Sequence, residues 1–239
     1  MFKPINQDLV IPQREHARLA GNIAVYWGNK DFDSPIIPFH SVVRGITFHQ
    51  NGYDLLDTYP VKEMDEDTLV GVFRNDFSVQ VSDIEAELIN MFHQFRLVSK
   101  RLITKPSETF ENLQKEFEIA IENKLTRSKY SKADFLWADR ITNLCDRISF
   151  NFSFGEKITE TIPVYPKVGS EEKLEIVQSL KDANTIILDK WPFSSKQIRN
   201  VVVAYESKGY PKTLRPVLLE FLLEYRLSQK RKKEEFLSA

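Results

Sequence analysis

Cysteine is almost missing from this chain, and so are long apolar runs. Cys145 is the only cysteine in 239 residues, so neither an intramolecular disulfide nor a thiolate-rich metal site can form. Because Asp146 follows it and would disfavour a thiolate, we expect a buried and unreactive thiol. No run of about eighteen apolar residues predicts a membrane span, and residues 1–10 lack the pattern of a signal peptide. These absences favour a cytoplasmic protein.

The sequence also lacks an excess of charge of one sign. Its 33 Lys and Arg oppose 34 Asp and Glu, so composition gives no reason to expect a nucleic-acid partner. Gly52, Gly71 and Gly155 stand alone, and no pair has the spacing of a phosphate-binding loop. We therefore expect no nucleotide cofactor. An unidentified small molecule is the expected partner, and the sequence leaves the oligomeric state open.

Apolar residues are plentiful, at 42% of the chain with 17 phenylalanines, which is enough for a sizeable core. Helical spacing predicts helices after Pro12, from Pro38 to His49, from Asp83 to Ile103, and after two serine caps, Ser107 and Ser131. Asp134 completes a predicted capping box with Ser131. We therefore expect a helical core over residues 1–155.

Between residues 53 and 80 the helical periodicity disappears and acidic residues accumulate. This pattern predicts an irregular acidic connection that acts as a lid, since long loops inside compact domains are usually functional or mobile. A short helix within this stretch is the alternative.

After Phe150 the sequence favours β-structure. Short runs at 161–165, 185–188 and 198–205 predict a small antiparallel sheet, while 171–180 and 214–227 read as helices. The fold class is thus mainly α, with a small antiparallel β appendage in the C-terminal third. Residues 156–239 would pack on the helical core as part of one domain.

Three of the four histidines, His16, His49 and His93, fall in separate predicted helices, and Asp146 falls in a fourth. Their convergence would create one metal pocket, because imidazoles and a carboxylate suit zinc, iron, manganese or nickel. His40, at the start of its helix, is not expected to take part.

These residues lie in motifs that resemble known families. His16, the pair His49-Gln50, His93 and Asp146 are similar to the HD pattern, in which a histidine, a His-Asp pair and a distant aspartate hold a divalent metal in a helical bundle. The segments 11–17, 48–53, 145–149 and 188–193, with Gly21, Trp27 and the helix of His93, resemble a family of unknown function, domain-of-unknown-function family 3891. The resemblance implies an HD-like helical bundle.

The HD resemblance implies a hydrolase acting on a phosphoester or a similar bond. His16, His49, His93 and Asp146 would hold the metal, Gln50 would orient substrate or water, and Asp54 or Asp57 would be the base. Arg14 and Arg147 would bind an anionic group of the substrate, beside the aromatic wall of Tyr53.

Two departures weaken this transfer, since Gln50 replaces an aspartate and Tyr53 replaces a tryptophan. An amide oxygen is a poorer ligand than a carboxylate, so His93, Asp54 or Asp57 would have to complete the coordination. The alternative is an inactive HD-like module that binds a ligand or a protein. His49 would then be a core histidine, and Asp146, Arg14 and Arg147 would form structural ion pairs.

Overall fold

A computed structural model describes residues 1–4, 7–81, 83–155, 159–170, 174–180 and 184–226; the side chains of 54–56, 61 and 174–180 lie outside this description. The described residues form six α-helices and one sheet. The helices are α1 Gln13–Ala24, α2 Phe39–Phe48, α3 Glu66–Phe77, α4 Ile84–Thr104, α5 Glu108–Leu125 and α6 Lys132–Phe154.

The helix starts follow the predicted caps. Ser107 accepts a hydrogen bond from the Phe110 amide, and Ser131 forms the predicted capping box with Asp134. Each cap satisfies amides that lack a partner in the first turn. Both predicted helix starts are therefore confirmed.

The predicted acidic loop over 53–80 is largely wrong, and the helical alternative is confirmed. Two 3-10 helices, Asn51–Thr58 and Val61–Glu63, are followed by α3. Asp65 caps α3 by accepting from the Thr68 amide, and Glu66 and Asp67 lie in its first turn. Acidic side chains are stabilised at this end of a helix by its dipole. Three of the acids that suggested a loop, Asp65, Glu66 and Asp67, thus mark a helix start.

The sheet combines both ends of the described chain. Its strands are β1 Leu9–Val10, β2 Thr159–Val164, β3 Leu174–Leu180, β4 Thr185–Leu188, β5 Gln197–Glu206 and β6 Pro216–Tyr225, in the order β1-β5-β6-β4-β3-β2. The three predicted strands are confirmed. The predicted purely antiparallel pairing is not, because β4 and β6 run parallel.

Two predicted helices in this part of the chain are wrong. Residues 174–180 of the first form β3, while 171–173 lie outside the described residues. The second, 214–227, contains β6, which pairs with β5 from Gln197↔Glu224 to Tyr205↔Pro216. The Leu and Glu of this segment have good helix propensity, but the long ladder with β5 overrides that preference.

The helical core brings α1, α2, α4 and α6 together. Helix α1 packs against α2 and α6, and α4 packs against the same two helices. Gly45 permits the close approach of α2 to α4, since a Cβ there would lie 2.6 Å from the Ala86 carbonyl oxygen. Among the described residues, no helix has the length and apolar character needed to cross a membrane.

Candidate metal centre

All four predicted ligand residues lie at the centre of these helices. His16 belongs to the first turn of α1, His49 follows the last residue of α2, His93 lies within α4, and Asp146 lies within α6. None of the four is more than 6% exposed. The ring centroid of His49 lies 5.4 Å from that of His16 and 4.4 Å from that of His93. The fold therefore brings the predicted residues together in a closed interior.

Three of the four residues have the geometry of a ligand set. Asp146 Oδ1 lies 3.0 Å from His16 Nε2 and 3.4 Å from His49 Nε2. One ligand atom from each of these residues can be chosen so that all three lie within 4.8 Å of one another. The described part of the chain thus contains a buried His/His/Asp group that is compact enough to hold a metal ion.

The tautomer of His49 leaves a lone pair facing this group. His49 Nδ1 lies 2.5 Å from the Ile46 carbonyl oxygen, which can only accept, so Nδ1 carries the proton. His49 Nε2 is buried and has no hydrogen-bond partner among the described residues. In the neutral ring this atom is an acceptor that faces the carboxylate of Asp146, another acceptor. A cation between them would satisfy both.

His16 can present its Nε2 in the same way. Ser149 Oγ lies 2.6 Å from the His16 carbonyl oxygen and 2.9 Å from His16 Nδ1. When the hydroxyl donates to the carbonyl, Nδ1–H donates to Oγ and Nε2 keeps a lone pair. When the hydroxyl donates to Nδ1, Nε2–H donates to Asp146. A metal ligand requires the first arrangement, in which the outer nitrogen is anchored on a protein oxygen, as is usual for such histidines.

His93 is held differently. Arg96 Nη2 lies 2.7 Å from His93 Nδ1, and since a guanidinium only donates, Nδ1 must accept and Nε2 carries the proton. His93 Nε2 is buried without a partner among the described residues. The same guanidinium donates to Asp139 and Asn143 on α6. Arg96 therefore fixes His93 as a hydrogen-bond donor next to the His/His/Asp group.

Burial and charge set the protonation of the cluster. Burial is the main reason why the pKa values of His16 and His93 are lowered, which keeps both rings neutral. Burial also opposes ionisation of Asp146. However, its interactions with His16, His49 and His93 outweigh that cost and hold the pKa of Asp146 well below its ordinary value. Neutral imidazoles beside a carboxylate are the forms in which these side chains bind metal.

This donor set fits a borderline divalent metal. Imidazole nitrogen suits zinc, iron, manganese and nickel, and the carboxylate supplies the negative charge that the neutral rings lack. The unpaired Nε2 of His49 is the observation that supports the fit. His16, His49 and Asp146 would hold the ion, and three protein ligands leave coordination positions for water or substrate.

The residues next to His49 are buried beside the cluster. Gln50 is 8% exposed, and its Oε1 has no hydrogen-bond partner among the described residues. Tyr53 is also buried; desolvation, with the nearby acids Asp76, Asp57 and Asp146, raises the pKa of its phenol well above the ordinary value. Tyr53 is therefore a neutral aromatic side chain in the electrostatic field of Asp146.

The candidate bases are less favourably placed. The carboxylate of Asp57 accepts the Gln13 amide hydrogen at 2.8 and 3.0 Å, so it satisfies a free amide at the start of α1. The side chain of Asp54 lies outside the described residues. The structure thus gives Asp57 a structural contact, and a role for either acid as a base stays a prediction.

The two arginines also differ. Arg14 is exposed on α1. Arg147 forms an ion pair with Glu160 on β2, in which Nη2 and Nε of the arginine lie 2.6 and 3.0 Å from Glu160 Oε1. The alternative interpretation of Arg147 as a structural ion pair therefore matches its geometry, and binding of substrate by either arginine stays a prediction.

Sequence reasoning missed three residues that position the cluster. They are Ser149, which contacts His16; Arg96, which contacts His93; and Gln94, whose amide donates to the His49 carbonyl oxygen at 2.7 Å. Ser149 follows Asp146 by three positions and Arg96 follows His93 by three, so helical spacing places each on the same face as a candidate ligand. That spacing is the signal that could have found Ser149 and Arg96, and it does not apply to Gln94.

Comparison with known proteins gives one match. Residues 4–68 match the model of a family described as Protein of unknown function (DUF3891), which confirms the family resemblance over this segment. The match contains His16 and His49 with Gln50 and Tyr53, and it ends before His93 and Asp146. No curated protein and no solved structure matches the chain.

Proposed function

We propose that this protein is a metal-dependent hydrolase of the HD-like type that acts on a phosphoester or a similar bond. The observation that carries the proposal is the buried acceptor pair formed by His49 Nε2 and Asp146 Oδ1, which lie 3.4 Å apart without a proton donor in the neutral ring. A buried polar atom left without a partner is costly. Such an arrangement is expected where a cation supplies the missing partner.

A divalent metal held by His16, His49 and Asp146 would supply Lewis acidity, which would lower the pKa of water and polarise a phosphoryl or carbonyl oxygen. The protein residues do the rest. His16, His49 and Asp146 hold the site, and Ser149 and the Ile46 carbonyl fix the two ring orientations. His93 Nε2–H donates a hydrogen bond to an oxygen that gains negative charge during the reaction. Gln50 Oε1 accepts a hydrogen bond from water or substrate.

A ligand-binding module without turnover is the second candidate. It is favoured by the position of Asp57, which is engaged at the start of α1 rather than held free as a base. In such a module the same His/His/Asp group would hold a metal that binds the ligand directly, and no bond would be cleaved.

The first experiment is the metal content of protein purified without chelator or metal-affinity resin, measured by elemental mass spectrometry. His49→Ala removes a ligand, and His40→Ala is the matched control because His40 is an exposed histidine near the start of α2, the helix that His49 caps. We expect near-stoichiometric metal in the wild type and in His40→Ala, and none in His49→Ala. Circular dichroism verifies that both variants fold.

Two results would contradict the proposal: a metal-free wild type, or a folded His49→Ala variant that retains its metal. If metal is present, a screen of phosphomonoesters, phosphodiesters and carboxylic esters separates the two candidates. Turnover that disappears in His49→Ala supports the hydrolase, and metal without turnover supports the binding module.

A further inference from the structure

A second feature lies beside the metal centre and is open to solvent. It is a cleft of about 590 Å³ between α4, α6 and β2. Arg96 lines the cleft and also donates to His93, so its guanidinium connects the cleft wall to the buried histidines. We call it the α4/α6 cleft.

The α4/α6 cleft carries an excess of positive charge. Four basic side chains and two acidic side chains line it: Arg96, Lys100, Arg140, Arg147, Asp139 and Glu160. Asp139 and Glu160 are engaged by Arg96 and Arg147 respectively. The positive charges of Lys100 and Arg140 therefore remain without a carboxylate on the cleft wall.

Both of these cations contact uncharged groups. Lys100 Nζ donates to the amide oxygen of Asn143 at 3.2 Å, and the guanidinium of Arg140 lies 3.3 Å from the ring centroid of Tyr165. Within the described part of the chain, neither side chain forms an ion pair. Desolvation, followed by repulsion from Arg96 and Arg147, lowers the pKa of Lys100. An anion bound at Lys100 would relieve this repulsion.

Much of the remaining cleft surface is apolar. Leu136 is 45% exposed, and Phe95, Ile162 and Pro163 also line the cleft. Ligand pockets commonly combine an apolar lining with a few polar groups that fix orientation. Here the polar groups include the cations Lys100 and Arg140, and the apolar residues provide a surface for an uncharged body.

We propose that the α4/α6 cleft binds a small amphiphilic oxyanion, which is a phosphate-type group attached to an apolar body. Lys100 and Arg140 bind the oxyanion, and Leu136 and Phe95 contact the apolar part. The claim that this molecule is the substrate rests on the proposed hydrolase function. The claim that the cleft binds it does not.

The test uses the 239-residue chain, freed of metal by a chelator that is then removed by dialysis. Calorimetric titration with phenyl phosphate measures binding, with inorganic phosphate and phenol as probes of each half alone. We expect phenyl phosphate to bind more tightly than either. Lys100→Gln removes one charge-assisted contact and should weaken binding roughly tenfold. Lys115→Gln, at an exposed lysine of α5 outside the cleft, should bind like the wild type.

The apolar half has its own variant. Leu136→Gln keeps helix propensity and should weaken binding of phenyl phosphate while leaving that of methyl phosphate unchanged. The proposal is overturned if phenyl phosphate does not bind, if Lys100→Gln binds like the wild type, or if phenol binds as tightly as phenyl phosphate.

These outcomes are separate from those of the metal experiment. Phenyl phosphate bound by metal-free protein supports the cleft even if the purified protein contains no metal, in which case only the hydrolase proposal fails. Metal-dependent hydrolysis with no Lys100-dependent binding would support the hydrolase and overturn the cleft.

Discussion

Two buried aspartates in this protein have opposite electrostatic environments. Asp146, at 6% exposure, lies between His16 and His49, and its pKa is held well below the ordinary value. Asp76, at 1% exposure, accepts the Gly52 amide hydrogen at 2.6 Å. Desolvation, reinforced by Asp57, raises its pKa well above the ordinary value despite that bond. Burial alone therefore favours a neutral acid, and the imidazoles keep Asp146 charged.

The contrast indicates what each carboxyl group does. Asp76 ties the first 3-10 helix to α3, at a point so close that a Cβ on Gly52 would lie 2.2 Å from the Asp76 amide nitrogen. It is a structural group that can be protonated. Asp146 keeps its charge in the interior, which is the state required to bind a cation.

The largest effect is expected for Asp146→Asn, which removes the only charged group of the His/His/Asp set. We expect metal affinity to fall by more than the roughly 10–100-fold loss that follows removal of an outer contact. Competition with a fluorescent metal chelator measures the affinity. Asp139→Asn is the control on the same helix, because Asp139 pairs with Arg96 rather than with the histidines; equal losses in the two variants would contradict the assignment.

The next effect concerns Ser149, which fixes the ring of His16. Ser149→Ala removes the oxygen that accepts from Nδ1, so we expect metal affinity to fall roughly 10–100-fold. Ser153→Ala is the matched control, because Ser153 is a buried serine of the same helix whose Oγ has no hydrogen-bond partner among the described residues. The same chelator competition applies, and an unchanged affinity in Ser149→Ala would show that Ser149 does not position the ligand.

Arg96→Lys tests the link between the metal centre and the α4/α6 cleft. Lysine keeps the charge but cannot make the three-way contact with His93, Asp139 and Asn143. We expect a loss of unfolding free energy of about 1–3 kcal/mol, because Asp139 loses its partner in the interior. The nitrogen chemical shifts of His93 report its tautomer. We expect a ring protonated at Nε2 in the wild type and a mixture of the two tautomers in the variant. A wild-type ring protonated at Nδ1 would refute the proposed donor role.

The smallest effect is expected for Asp76→Asn and appears as a change in pH dependence. Because folding raises the pKa of Asp76, its contribution to stability is complete below its ordinary value near 3.8 and is lost as pH rises through the folded value. The wild type should lose up to about 1.4 kcal/mol per pH unit in that interval. Asp76→Asn should lack this slope, as measured by urea unfolding from pH 3 to pH 8. Identical pH profiles would show that Asp76 does not titrate in this way.

The helices of the site could be predicted because their signals are local. Ser131 and Asp134 mark the start of α6, and the apolar spacing of Ile84, Leu88 and Phe92 marks α4. These patterns place His93 and Asp146 within helices before any tertiary information is used. The grouping of the histidines was predicted from the same patterns together with the family resemblance.

The missed features depend on contacts between distant segments. The strand β6 forms because β5 lies beside it, a pairing that its Leu and Glu content does not reveal. The tautomer of His93 depends on Arg96, whose orientation is fixed by Asp139 and Asn143 across the interface of α4 and α6. A sequence gives the spacing of Arg96 and His93 but not the partner that holds them.

X-ray absorption spectroscopy of the metal-loaded protein tests the central claim most directly. If the metal is zinc, our account predicts a coordination shell with two imidazole nitrogens at about 2.0–2.1 Å and at least one carboxylate oxygen. It predicts no sulfur in this shell. The imidazole signal should fall by one ring in a folded His16→Ala variant that still binds metal. A shell without imidazole, or one containing sulfur from Cys145, would contradict the assignment of His16, His49 and Asp146 as the metal ligands.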